Sequence, residues 1–178
     1  MHQKQNNYSG FIYCAMHTSW GWVGILSSVY GIRRLTLPRE TRGLALSELG
    51  DLSNKKLDQD SFSNLEKKLQ AYFSGEIVIF NEVTDLAEYP LFTKSVWHNT
   101  RQIGYGQSAS YRDIAIKMGS PKSFRAVGQA LKRNPVPIII PCHRIIGNNG
   151  SIGGFNGGTT LKEDLLKLEK DALVKAKS

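Results

Sequence analysis

One thiol stands out by its neighbours. Cys142 follows the apolar run Pro137-Ile138-Ile139-Ile140-Pro141 and precedes His143 and Arg144. The run buries its backbone, and Pro141 stiffens the approach to the sulfur, so Cys142 is expected at the mouth of a buried segment. A thiol attacks as its thiolate, and a neighbouring imidazole and guanidinium favour that form. The trio suits nucleophilic chemistry, a displacement or an acyl transfer. Neighbours in sequence need not point the same way, however, and many Cys-His pairs are buried structural thiols.

The second cysteine, Cys14, lies in a β-rich stretch and is assigned to strand packing. Two thiols are too few for a disulfide scaffold or a four-thiolate zinc site. His17 and His98 show no ligand-like spacing, so no catalytic metal is expected; a structural metal in the N-terminal half is left open.

Charge adds a second signal. The 178 residues carry a formal net charge of +8, which favours polyanionic partners without naming one. Its placement says more. Arg112, Lys117, Lys122, Arg125, Lys132, Arg133 and Arg144 fall between Tyr111 and Gly147, opposed only by Asp113. Such a band is either a solvated face or a nucleic-acid surface. Hydrophobic residues at 40% and charged residues at 21% fit a folded globular chain. No apolar run nears the ~20 residues of a membrane span, and residues 1–7 lack the apolar core of a secretory signal; an intracellular protein is expected.

The elements that must position the thiol can be placed coarsely. Residues 11–16 and 24–29 read as strands about a turn at 18–22, with a third strand at 32–37 stopped by Pro38. Residues 39–61 read as loop or weak helix. Phe62, Leu65, Leu69, Tyr72 and Phe73 recur at helical spacing, with Ser61 or Ser63 as cap and Gly75 as stop. Residues 77–80 predict a strand and 85–90 a linker. A helix follows at 91–100, a short one at 111–118, a turn at 119–122, and a helix from Phe124 to about Lys132 with Ser123 as N-cap. Asn134-Pro135 ends it. The last pair is a helix-turn-helix candidate. Ala126, Gly128 and Ala130 make its second helix unusually small-sided, for close packing on another helix or close approach to a ligand. Arg125 stands at the positive end of the helix dipole, which points to work outside the helix.

The motifs around Cys142 resemble the O6-alkylguanine-DNA alkyltransferases, the methylated-DNA–protein-cysteine methyltransferases. Pro141-Cys142-His143-Arg144 is joined upstream by Arg125-Ala126-Val127-Gly128 and Asn134-Pro135. Downstream follow Gly153-Gly154-Phe155-Asn156-Gly157-Gly158 and Leu165-Leu166-Lys167-Leu168-Glu169. The resemblance is strong over residues 91–169 and weaker before, where Ser19-Trp20-Gly21 and a hairpin look like that family's N-terminal domain. It implies that Cys142 is nucleophile and permanent alkyl acceptor. His143 would be its base through a water, Glu169 would orient the imidazole, and Asn134 would hold the bend before the thiol. It further implies that Tyr111 contacts the extruded base and Arg125 fills the space left in the stack. Arg112, Ser120, Ala126, Gly128 and Asn148 would meet DNA, and Ile145, Phe155 and Asn156 with Tyr111 would form the base pocket. Phe155-Asn156 depart from the pattern, since many relatives carry tyrosine followed by a small residue.

The resulting expectation is an α+β chain. Residues 1–88 form a mainly structural α/β domain with a small, ribonuclease-H-like sheet. Residues 89–178 form a mostly helical, winged-helix-like domain that binds DNA and transfers the alkyl group. The implied function is direct reversal of O6-alkylguanine in double-stranded DNA by a monomer without cofactor, consumed after one turnover, in the cytoplasm or a nucleus. Whether O4-alkylthymine is also a substrate is left open. Alternatives are a non-enzymatic lesion-binding protein on the same scaffold, and a cysteine hydrolase.

Overall fold

The computed structural model describes residues 10–177; the expectation about a signal segment concerns positions outside them. Three strands, β1 (Ile12–Thr18), β2 (Gly21–Ser28) and β3 (Gly31–Leu35), form an antiparallel meander. A two-residue strand, β4 (Lys56–Leu57), joins the free edge of β1 in parallel, giving the order β3-β2-β1-β4. The first hairpin turns on Ser19-Trp20, tighter than the turn expected at 18–22. Gly21 at φ +123° makes it possible, and a Cβ there would lie 2.6 Å from the Arg39 carbonyl oxygen. Trp22 therefore belongs to β2, opposite His17.

Both faces of the hairpin are covered. Successive side chains on a strand alternate in direction. Cys14 pairs with Ile25 on the main-core face, and Ala15 pairs with Gly24 on the other. There α1 (Arg42–Ser47), within the stretch read as loop or weak helix, lies so close that a Cβ on Gly24 would meet the Ala45 carbonyl oxygen at 2.6 Å. Thr41 caps α1 by accepting from the Leu44 N–H. On the core face lies α2 (Ser63–Phe73), with Leu65, Leu69, Tyr72 and Phe73 buried as their spacing predicts. Neither Ser61 nor Ser63 caps it; a 3-10 turn at Asp60–Phe62 leads in instead. Gly75, at φ +86°, ends it.

Residues 77–80 form no strand. Val78 and Phe80 pack on the core while Ile77 and Ile79 face out, so the alternation is real. No neighbouring strand is hydrogen-bonded to them; Arg101 donates to the Phe80 and Glu82 carbonyls instead.

The second half is helical, and with the sheet it makes an α+β fold. It comprises α3 (Leu91–Arg101), α4 (Tyr111–Lys117), α5 (Phe124–Lys132) and α6 (Gly158–Lys175). Ser110 and Asp113 close a reciprocal capping box on α4. The hydroxyl of Ser123 donates to the Ser120 carbonyl and leaves α5 uncapped. Trp97 of α3 is fully buried and donates from Nε1 to the Ala130 carbonyl of α5 at 3.0 Å. Two short parallel strands, β5 (Ala109–Ser110) and β6 (Ile145–Ile146), tie the start of α4 to the end of the cysteine segment. One contiguous set of buried apolar residues runs from Cys14 to Leu165 across both halves. No helix among the described residues is long and apolar enough to cross a membrane.

Candidate active site

The chain leaves α5 through a bracket built by one side chain. Asn134, buried, accepts from the Val136 N–H at 3.1 Å through Oδ1. Its Nδ2 donates to the Ile140 carbonyl at 2.8 Å and to Cys142 Sγ at 3.2 Å. Inside the bracket Ile138 adopts φ +71°. That region is unfavourable for a β-branched residue by ~1–3 kcal/mol and persists only where surroundings enforce it. Burial of Ile138, Ile139 and Ile140 and the Asn134 bonds do so here.

Cys142 opens a 3-10 turn, Cys142–Arg144, and is partly exposed. Its sulfur lines a cavity of about 430 Å³ with Tyr111, Gly128, Leu131, Phe155 and Asn156, within the ~300–1,000 Å³ usual for small-molecule sites. The structure thus gathers most of the expected pocket residues. Ile145 is not among them: it is fully buried, and its carbonyl accepts from Lys162 Nζ at 2.5 Å.

Behind the thiol sits a buried polar network. His143 and Glu169 are both inaccessible, with Nε2 at 2.8 Å from Oε1. Glu169 lies in the interior of α6 and is not a solvated charge near its end. Its carboxylate also accepts from Tyr72 Oη at 2.8 Å, Arg144 Nη2 at 2.8 Å and Nε at 2.9 Å, and the Gly106 N–H at 2.9 Å. Burial opposes its charge, but the hydrogen bonds from His143 and Arg144 and the Arg144 charge prevail and hold the carboxyl at about 2. Burial pushes His143 below its ordinary range despite the pull of Glu169, so the imidazole is neutral at rest. The acceptor at Nε2 assigns the proton to that nitrogen. Nδ1, buried and without a hydrogen-bond partner among the described residues, keeps the lone pair.

Two expectations need correction. Arg144 belongs to no exposed basic band and does not touch the thiol; it is spent on Glu169 and on the Ile103 carbonyl at 2.7 Å. The thiol is also not poised as a thiolate. Burial pushes it up, against the Asn134 bond and the nearby Lys162 charge. The arrangement therefore keeps the proton on sulfur and leaves an unprotonated nitrogen, Nδ1, on the residue that follows it.

The sequence reading missed three participants. Tyr72 comes from the half expected to be mainly structural, and its spacing only marked it as core. Arg144 was seen only as a neighbour of the thiol and as one charge of the basic band. Lys162, fully buried beneath the Tyr111 ring at 5.9 Å from its centroid, carries no motif beyond helical context.

Around the cavity, which Lys132 itself helps to line, α4, the turn around Gly119, α5 and its C-terminal end present Arg112, Lys117, Lys122, Arg125, Lys132 and Arg133 to solvent. Ser120, Ala126 and Asn148 are also exposed, the last in the turn at 147–150. Arg125 lies in the first turn of α5, over the Phe124 ring at 5.9 Å. The small residues of α5 divide. Ala130 packs inward, while a Cβ on Gly128 would make only ordinary 3.7 Å contact with Tyr111. The second half of α5 is tied to the glycine-rich loop, since Asn156 Nδ2 donates to the Lys132 carbonyl at 2.7 Å. Among the described residues no group of three or more His, Cys, Asp or Glu side chains is placed to hold a metal.

A basic helix-turn-helix beside a cleft that ends on a thiol defines a cysteine-dependent protein built to meet nucleic acid. Residues 91–171 match the family described as 6-O-methylguanine DNA methyltransferase, DNA binding domain. The methylated-DNA–protein-cysteine methyltransferase of Methanosarcina barkeri is 43% identical over 127 residues, 68% of this chain and 74% of that protein. That of Sulfolobus acidocaldarius is 40% identical over 147 residues, 82% of this chain and 91% of the relative. The crystal structure of Mycobacterium tuberculosis OGT in complex with DNA has a TM-score of 0.78 at 33% identity, covering 90% of this chain and 94% of that one. The chain belongs to the methylated-DNA–protein-cysteine methyltransferase family, DNA-repair enzymes that transfer an alkyl group.

Proposed function

We propose that this protein removes the alkyl group of O6-alkylguanine in double-stranded DNA by moving it onto Cys142, once and irreversibly. The observation that carries this reading is the placement of the partly exposed Cys142 on the wall of a cavity of about 430 Å³, followed in the same turn by a buried imidazole bonded to a carboxylate. O4-alkylthymine presents the same bond and is a candidate second substrate.

The alkyl carbon lies inside the duplex stack, so the nucleotide must be extruded at a cost of a few kcal/mol, less for a lesion that pairs poorly. In this reading α5 lies in the minor groove and Gly128 lets the backbone come close. Arg125 enters the stack and offsets the lost contacts. Arg112, Ser120, Ala126 and Asn148 meet the flanking backbone. The base enters between Tyr111 and Phe155, against main-chain groups of the loop at Asn156. Phe155 walls the pocket without offering a hydroxyl.

The chemistry is an in-line displacement at carbon. The thiol proton passes to His143 Nδ1 through one water, sulfur forms a bond to the alkyl carbon, and the carbon–O6 bond breaks. The leaving guanine takes a proton that the Tyr111 hydroxyl, kept neutral by burial, would supply and regain from solvent as His143 releases the thiol proton. Glu169 stabilises the imidazolium formed meanwhile, and Asn134 fixes the sulfur. The product is a thioether, and the displacement as written uses no cofactor. The sheet order with β4 parallel to β1 favours a ribonuclease-H-like N-terminal domain over residues 1–88. The α4–α5 pair favours a winged-helix-like reader over 89–178, in a monomer acting in the compartment that holds the DNA.

Mass spectrometry after incubation with an O6-methylguanine duplex tests the proposal. One methyl per protein, mapped to Cys142, is expected, and Cys142→Ala should bind the duplex without gaining mass. An unmodified wild-type protein, or many turnovers, would refute it.

A further inference from the structure

Tyr72 stands in the last turn of α2, far in sequence from the thiol. Its ring is fully buried and meets Phe73, Phe80 and Tyr105 edge-on, at centroid distances of 5.2, 5.6 and 6.0 Å. Packing alone would be served as well by phenylalanine, and a buried hydroxyl must find a partner. The partner is Glu169 Oε1 at 2.8 Å, the oxygen that also receives His143 Nε2; Tyr72 Oη lies 3.3 Å from that nitrogen.

This sharing decides a proton. The Tyr72 hydroxyl can donate either to the carboxylate or to Nε2. If it donated to Nε2, the imidazole proton would move to Nδ1 and the base would be lost. The shorter distance assigns its hydrogen to Glu169, which leaves Nε2 as the donor and Nδ1 as the free lone pair. We propose that Tyr72 is a positioning residue for alkyl transfer, a hydroxyl supplied by the N-terminal half that fixes the tautomer and basicity of His143 through Glu169. The half of the chain without the thiol thereby belongs to the reactive unit. This rests on the transfer to Cys142 proposed above.

A sign follows for pH. The titratable and charged groups about His143 are Glu169 and Lys162 of α6, Arg144 and Cys142 of its own turn, Tyr105 of the preceding loop and Tyr72 of α2. The hydrogen bond from Tyr72 draws charge from Glu169 and so weakens its support of an imidazolium. Without that bond Glu169 supports the charged ring better, and His143 gains its proton at higher pH.

The test is Tyr72→Phe in the full chain, with single-turnover transfer from an O6-methylguanine duplex followed against pH. The expected result is a rate roughly tenfold lower at neutral pH, the scale of one hydrogen bond to a charged group. The acid limb of the profile should move to higher pH, with duplex affinity unchanged. A rate within twofold of wild type and an unmoved limb would overturn the assignment. Nitrogen-15 spectra of His143 in the unsubstituted protein decide independently of the variant's folding. A proton on Nε2 at neutral pH supports the proposal, and a proton on Nδ1 sinks it. Failure of the unsubstituted protein to take up methyl would strike the transfer reading, and the nitrogen spectra would still judge Tyr72.

Discussion

Arg144 grips Glu169 with two parallel bonds, Nε to Oε2 at 2.9 Å and Nη2 to Oε1 at 2.8 Å, both partners buried. The guanidinium two residues after the cysteine therefore acts on the carboxylate that His143 also bonds. A planar fork suits this task and an ammonium does not.

Arg144→Met should leave Glu169 buried with an uncompensated charge. Removing one partner of such a pair destabilises by roughly 3–5 kcal/mol. Urea unfolding is the measurement, and a loss under 1 kcal/mol would show that the carboxylate is held adequately without the fork.

Arg125→Ala should slow transfer from duplex DNA by at least about tenfold, since a stack opened without a replacement costs over ~1.4 kcal/mol. Reaction with free O6-methylguanine base should be unchanged. Equal losses on both substrates would argue against insertion into the stack.

Stability should fall with acid in two stages. Burial holds His143 below its ordinary 6.5, so the unfolded chain takes up that proton first, and stability drops as pH descends below 6.5. The folded Glu169 carboxyl stands near 2 against an ordinary 4.5. Its contribution is complete above 4.5 and vanishes as pH falls toward 2. Unfolding midpoints in urea at pH 7.5, 5 and 3 should decrease in that order; equal midpoints at 7.5 and 3 would contradict it.

Gly153→Ala should damage the pocket from its rim. The residue sits at φ +69°, and its new Cβ would stand 2.8 Å from the Tyr111 hydroxyl. Strain at such a position costs about 1 kcal/mol or more, and Tyr111 must shift to relieve the contact. Single-turnover kinetics should show slower transfer with Cys142 reactivity toward a small alkylating agent preserved. An unaffected rate would mean that the loop yields instead of Tyr111.

Much of this was legible in local pattern. The periodicity of Leu65, Leu69 and Tyr72, the turn at Gly119 and the stop at Asn134-Pro135 each depend on residues a few positions apart. Cys142 and His143 announced themselves for the same reason. What escaped was made by long-range contact. Tyr72 and Glu169 are 97 positions apart, and nothing local distinguishes a core tyrosine from one whose hydroxyl orders a carboxylate. Arg144 looked like surface charge because charge is counted before burial is known. Residues 77–80 had the alternation of a strand but lacked a neighbour to pair with, which the alternation does not encode. The eighteen-residue α6 begins in glycines, which hide its start, and its buried Lys162 and Glu169 break the apolar stripe that would reveal it.

The bond from Asn156 to the Lys132 carbonyl ties the glycine-rich loop to the end of α5. Phe155, the residue before that asparagine, lines the cavity beside Cys142, so the same bond anchors one wall of the cavity to the helix. Were α5 to meet a duplex as proposed, the asparagine that departs from the usual small residue would make the fit of the helix and the width of the chamber a single variable.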